Sequence, residues 1–304
     1  MVTQINTRNG SNFSHTAQMR LNEIKSKIKN LESKMGVQKS VNLSIGKFGE
    51  MACAKLGENT IQLPPWFLFN YEDIPERFRV SNVDDHRLRD PDFLNDLAGW
   101  MNEKFQQAGI SSVVRRADFG ILQATISLVR DRNLYEKSKD FTIAHELAHL
   151  NHTQVDESNF YLHRVQETIS AGGLISGIFL LVLAVSILPY VPIAVTLVVA
   201  GVGVSVSIAT LISWLNRSLP SVQKSHVEEE KLADLDAVEA LQDAQGGIYY
   251  FDSLRIHNLA VRSSNSSAIS QVDLQGNNLK DKGHPLLTER IAYLRQWQAT
   301  HQRA

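Results

Sequence analysis

The feature that most restricts how this chain can fold is a run of 49 consecutive residues, 168–216, with no Asp, Glu, Lys, Arg or His. A helix of a globular domain shows a charge at some exposed turn, and it seldom needs more than about 20 apolar residues in a row. Pro189 and Pro192, in Pro-Tyr-Val-Pro, divide the run at a natural turn. The two pieces, residues 170–188 and 193–215, are each long enough to cross the ~30 Å hydrocarbon core of a bilayer. A buried helical hairpin inside a soluble domain is the alternative; the preferred reading is a two-helix transmembrane hairpin. The turn carries no Lys or Arg, whereas Arg164 precedes the hairpin and Arg217, Lys224 and Lys231 follow it. By the positive-inside rule both flanks face the cytoplasm. The expectation is an integral protein of a bacterial inner membrane, with the lipid bilayer as one partner.

Outside that run the chain is polar, which brings the mean hydropathy to −0.17. In 304 residues, 31 Lys and Arg oppose 32 Asp and Glu, a formal net charge of −1. This balance offers no extended basic surface, so no nucleic-acid partner is expected. The single cysteine, Cys53, cannot close an internal disulfide, which excludes a disulfide-stapled scaffold and fits a reducing compartment. The first residues lack the apolar core of a secretory signal. Oligomeric state is not legible in the sequence.

Four segments follow from the pattern. Residues 1–16 read as a flexible N-terminus, residues 17–167 as the first part of a catalytic domain, 168–216 as the hairpin and 217–304 as the second part. Leu21, Ile24, Ile28, Leu31 and Met35 share one helical face, and Gly36 ends that helix. Residues 41–45 and 51–63 read as short strands, the latter closed by Pro64-Pro65. Asp90 is placed as N-cap and Pro91 as first residue of a helix to about residue 107. The stretch 111–133 is undecided between strand and helix. Further helices are expected at 140–152, 227–242 and 286–298, with a Ser- and Asn-rich surface loop at 263–278. The fold class expected is α+β, mainly α.

Within the 140–152 helix stands His145-Glu146-Leu147-Ala148-His149. A spacing of four is a little over one helical turn, so both imidazoles project from one face and can hold one metal ion, with Glu146 beside them to act on a water. Catalytic zinc takes three protein ligands and keeps an open position. The metzincin pattern fails, because it needs Gly at 152 and His at 155 where this chain has His152 and Val155. His152 is read as a surface or interfacial histidine. A third ligand from a later helix has three candidates, Glu228, Glu229 and Glu230. Of these only Glu230 has an Asp one turn later, Asp234, able to orient a ligand histidine through its other ring nitrogen. Glu230 is therefore the expected ligand, Asp234 the orienting carboxylate, and Glu228 and Glu229 a solvated patch. The two helices must meet at one ion, which two membrane crossings between them would allow.

These motifs resemble the membrane-associated gluzincin peptidases that include the HtpX heat-shock protease, the mitochondrial Oma-type protease and the CAAX prenyl protease. His145–His149 is similar to their zinc helix, Glu230-Lys-Leu-Ala-Asp234 to their ExxAD, and Gly283-His284-Pro285 through Arg290-Ile291 to their C-terminal element. Residues 51–54, Met-Ala-Cys-Ala, resemble their substrate-pairing edge strand. The resemblance implies a zincin-like metallopeptidase domain and a zinc endopeptidase acting on protein or peptide substrates, in the field of membrane-protein quality control. One Zn2+ ion would be held by His145, His149 and Glu230, with Glu146 as general base and then general acid. His284 and Arg290 are implied to hold the substrate or the oxyanion. Residues 71–138 have no counterpart in that family, Met51 stands where it has Asn, and Leu286 where it has a second Pro. Two other classes remain open: a membrane-anchored scaffold on an inactive peptidase fold, and a membrane-perturbing hairpin effector.

Overall fold

Among the described residues, Ser14 caps the first helix. Its hydroxyl accepts from the Ala17 N–H at 3.3 Å and opens helix α1 (His15–Met35), which buries Leu21, Ile24, Ile28 and Leu31 and stops at Gly36 in the left-handed conformation, φ 70°. This computed structural model describes residues 13–81, 85–155, 202, 220–264 and 266–301. The expected flexible segment 1–16 is thus too long. Residues 13–16 are the cap and first turn of α1, tied down further by Ser14 N–H donating to the Ala108 carbonyl at 3.2 Å; residues 1–12 lie outside the described residues.

The chain divides into two compact units, Met1–Gln154 with Glu229–Ala304, and Val155–Glu228. In the second unit the described residues are Val155, Val202 and 220–228, all helical. The first unit holds every candidate site residue and, among the described residues, one sheet. Strands β1 (Asn42–Ile45), β2 (Cys53–Lys55) and β3 (Thr60–Leu63) lie in the order β1-β3-β2. β1 runs parallel to β3 with Leu43 opposite Ile61, and β2 runs antiparallel to it with Ala54 opposite Ile61. The central strand is the most buried, with Ile61 and Leu63 at 0% exposure, and β2 is left as an edge.

After β3 the aromatic segment Trp66-Phe67-Leu68-Phe69 enters the core. The Phe69 carbonyl accepts from the Tyr135 hydroxyl at 2.9 Å and from Lys139 Nζ at 3.0 Å, which anchors the early turns of helix α4 (Arg132–Val155). Asp131 caps that helix by accepting from the Leu134 N–H at 2.8 Å, so it begins about two turns earlier than the sequence suggests. Before it come α2 (Pro91–Ala108), capped by Asp90 as expected, and α3 (Phe119–Ser127), which resolves the undecided stretch as helix.

Helix α5 (Pro220–Leu241) carries the glutamates, and α7 (Leu287–His301) ends the described chain. Between them α6 (Gln245–Ser264) occupies a stretch for which the sequence suggested no element. Its start requires glycine, since a Cβ on Gly246 would lie 2.2 Å from the Lys137 carbonyl oxygen of α4. The expected 263–278 loop contains a 3-10 turn (Ser266–Ser270) and a bridge between Val272 and Asn278, with Asp273 accepting from Asn277.

The described residues are mainly helical with one small sheet. The expected transmembrane hairpin is corrected: no helix among the described residues is long and apolar enough to cross a membrane. The long helices carry charges along their length. α4 carries Glu136, Lys137, Lys139, Asp140 and Glu146, and α5 carries Glu228 to Lys231, Asp234 and Asp236, whereas a spanning helix needs about 20 predominantly apolar residues. The run 168–216 on which the hairpin was placed lies outside the described residues except for Val202.

Candidate metal centre

Helix α4 sets His145 and His149 one turn apart, with their Nε2 atoms 3.1 Å from each other. Helix α5 brings Glu230 across from them. Its Oε2 lies 3.5 Å from His145 Nε2 and its Oε1 3.2 Å from His149 Nε2. Tetrahedral zinc with bonds of ~2.0–2.1 Å holds its donors about 3.3 Å apart. The two glutamate distances run to different carboxylate oxygens; with one ligand atom per residue the three donors lie within 4.8 Å of one another, a set that can close on one ion and leave a fourth position. Glu228 and Glu229 are exposed, in keeping with the register argued from Asp234.

Behind the donors lies a buried layer of charge. Asp234, at 0% exposure, places Oδ1 2.9 Å from His145 Nδ1, off the straight line of an ideal hydrogen bond. Arg290 grips the same carboxylate with both arms, Nε donating to Oδ2 at 2.7 Å and Nη2 to Oδ1 at 2.6 Å, and the Tyr293 hydroxyl donates to Oδ2. The guanidinium also lies 3.4 Å from Glu230 Oε2 and stacks 4.0 Å above the Phe251 ring. Arg290 is 5% exposed and its fork is committed to Asp234. The resemblance implies a substrate or oxyanion contact for Arg290; in this structure its guanidinium holds Asp234, which faces His145. Tyr293 was not singled out from the sequence, although it lies three residues after Arg290 on the same helical face.

The electrostatics follow from this packing. Burial opposes a charged His145, but its contacts with Asp234 and Glu230 outweigh that and carry it up to about 10 in the metal-free protein. Burial likewise opposes a charged Asp234, and Arg290 and His145 outweigh it to keep the carboxyl below its usual range. For Glu146, 7% exposed, burial dominates and pushes the carboxyl up, while His145, His149 and a hydrogen bond from the Ala54 backbone pull it back. That bond turns the open edge of β2 toward Glu146.

His284 stands at the mouth, 49% exposed on its side chain, with Nε2 3.5 Å from Glu230 Oε1. Its Nδ1 lies 2.9 and 3.0 Å from the two Asp281 carboxylate oxygens, a partner the sequence reading missed although it sits only three residues earlier. His152 points to Asp236, 2.7 Å away, and bridges α4 to α5 as an interfacial residue outside the donor cluster.

No family model, curated protein or solved structure matches this chain. Two measurable consequences follow, the first from the geometry and the second from the raised His145. Glu230→Ala should remove most zinc affinity, whereas Glu228→Ala and Glu229→Ala should bind zinc like the parent; a competition titration against a chromophoric chelator reads this, and a damaging Glu229→Ala would assign the third ligand to Glu229. Zinc must also displace the His145 proton, so near pH 7 binding should release about one proton from this residue, and affinity should climb with pH toward about 10. Calorimetry in buffers of different ionisation enthalpy checks the release.

Proposed function

We propose that this chain is a zinc-dependent endopeptidase acting on extended protein or peptide segments. The reading rests on one arrangement: His145, His149 and Glu230 converge within 4.8 Å, Glu146 lies on the same helix as the two histidines, and an open sheet edge faces it. The resemblance of three ordered motifs to gluzincin peptidases supports the same reading. A zinc ion held by His145 Nε2, His149 Nε2 and a Glu230 oxygen would supply Lewis acidity to the attacking water and the scissile carbonyl.

The residues divide the remaining work. Glu146 takes a proton from the attacking water at its carboxylate and delivers it to the leaving amine; a carboxyl raised by burial is the better base for this. The edge strand β2, apart from the Ala54 group already bonded to Glu146, offers main-chain hydrogen bonds to a substrate strand, which holds the peptide extended across the site. His284, its ring held through Nδ1 by Asp281 and its Nε2 3.5 Å from Glu230 Oε1, is the residue that would hold the substrate or the oxyanion. Asp234, Arg290 and Tyr293 keep His145 aimed.

Hydrolysis of casein or of an internally quenched peptide by the purified chain tests the reading. Activity should fall to background with a chelator and return on zinc addition. Zinc bound at this site with no zinc-dependent hydrolysis would favour instead a binding protein on an inactive peptidase fold.

A further inference from the structure

Two loops meet just before β2. Residues 46–52 link β1 to β2, and residues 109–118 lead from α2 into α3. The Phe48 N–H donates to the buried Ser112 hydroxyl at 2.7 Å, and a Cβ on Gly49 would lie 3.7 Å from both Asp118 Oδ1 and Ile121 Cδ1. The second loop is pinned in place. Asn102 of α2 holds Val114 twice, accepting from its N–H at 2.7 Å and donating to its carbonyl at 3.2 Å, and Asp118 accepts from the Arg115 N–H at 2.8 Å.

These loops present three exposed cations, Lys47, Arg115 and Arg116, and among the described residues no carboxylate forms an ion pair with any of them. The two acids in the same segments serve the backbone and an amide instead: Glu50 accepts from the Lys47 N–H and from Gln62 Nε2, both at 2.8 Å, and Asp118 holds the Arg115 N–H. Met51 and Val113 add exposed apolar surface. A small patch that is both positive and apolar suits an acidic peptide; a nucleic acid would need a longer basic track. The patch also lies where a substrate strand would leave β2. Ala54 is five residues after Gly49, no more than about 18 Å along the chain. A peptide paired with β2 advances about 3.3 Å per residue, so its residues some three to five positions from the one beside Ala54 pass the two loops.

From this we infer that Lys47, Arg115 and Arg116 form a secondary substrate-binding patch, which takes Asp or Glu side chains about three to five residues from the scissile bond, on one side of it. The inference rests on the peptidase reading for the path of the substrate, and on the two loops alone for the preference for negative charge. Arg115 and Arg116 belong to the 71–138 stretch that has no counterpart in the gluzincin family, so the resemblance implies no such preference.

Binding and cleavage are to be measured separately. The full chain carrying Glu146→Gln is titrated, by fluorescence anisotropy, with labelled peptides that share one core and carry a Glu, Gln or Lys cluster either before or after it. In one placement and not the other, the Glu peptide should bind about tenfold tighter than the Gln peptide at low salt, the sum of several exposed ion pairs, and the Lys peptide should bind worst. The advantage should shrink as salt is raised. Arg115→Glu combined with Arg116→Glu should reverse the order, whereas Arg115→Lys with Arg116→Lys should keep it; both side chains are exposed, so neither change disturbs the core. In the parent the gain should fall on KM and leave kcat alone, because the contact is the same before and during bond cleavage. Equal binding of the three peptides in both placements, or an order that survives charge reversal, overturns the patch, and zinc-dependent hydrolysis by the parent in that case spares the peptidase reading. A preference that reverses with the charge, without any hydrolysis by the parent, does the opposite. A labelled oligonucleotide that displaces the Glu peptide would reassign the patch to nucleic acid and overturn the inference.

Discussion

Glu146→Gln is expected to lower peptide hydrolysis by about 10²–10⁴-fold, the usual range for losing a general base, while the zinc content stays at the parent level. The side chain is 7% exposed, and the amide is nearly isosteric with the carboxylate, so its oxygen can still accept from the Ala54 backbone. What the amide cannot do is take a proton from water. None of the three converging donors is Glu146, so removing its charge leaves the metal cage intact. Metal analysis of the purified variant beside its activity decides the matter. If zinc were lost together with turnover, Glu146 would be a ligand or a structural support, and the mechanism above would be wrong.

The convergence of His145 and His149 and the Glu230 register are legible in the sequence because both depend on helical spacing alone. Four residues put two imidazoles on one face, and four more put Asp234 under Glu230; neither statement needs a tertiary contact. Helix α6 was not legible. It opens with Gly246-Gly247, which reads as a turn, yet Gly246 is there because the Lys137 carbonyl leaves no room for a Cβ. That reason exists only once α4 and α6 are packed. The roles of the C-terminal element split the same way. His284 could be placed near the site by resemblance, but that its ring is steadied by Asp281 depends on a side-chain rotamer. Arg290 shows the limit best. Its charge and position suggested a group aimed at substrate, and only the packing shows that a buried carboxylate already occupies its fork.

The larger stability effect is expected at that pair. Arg290→Ala should destabilise the metal-free protein by about 3–5 kcal/mol, the cost of stranding one member of a buried ion pair, because Asp234 at 0% exposure would keep only the Tyr293 hydroxyl and His145. Arg290→Lys should recover part of this and no more, since an ammonium cannot span both carboxylate oxygens as the guanidinium does at 2.7 and 2.6 Å. Asp234→Asn removes the charge from the other side and should weaken zinc by ~10–100-fold, the usual penalty for loosening a ligand histidine. The two residues hold each other through a pair of hydrogen bonds, so a double-mutant cycle should show strong coupling, with the combined loss well short of the sum of the single losses. Denaturant melts of chelator-treated protein measure the stabilities, and zinc titration of the same samples measures the affinities. An Arg290 that served only the oxyanion would behave differently: melting would be unchanged, the cycle with Asp234 would be additive, and the loss would fall on kcat alone.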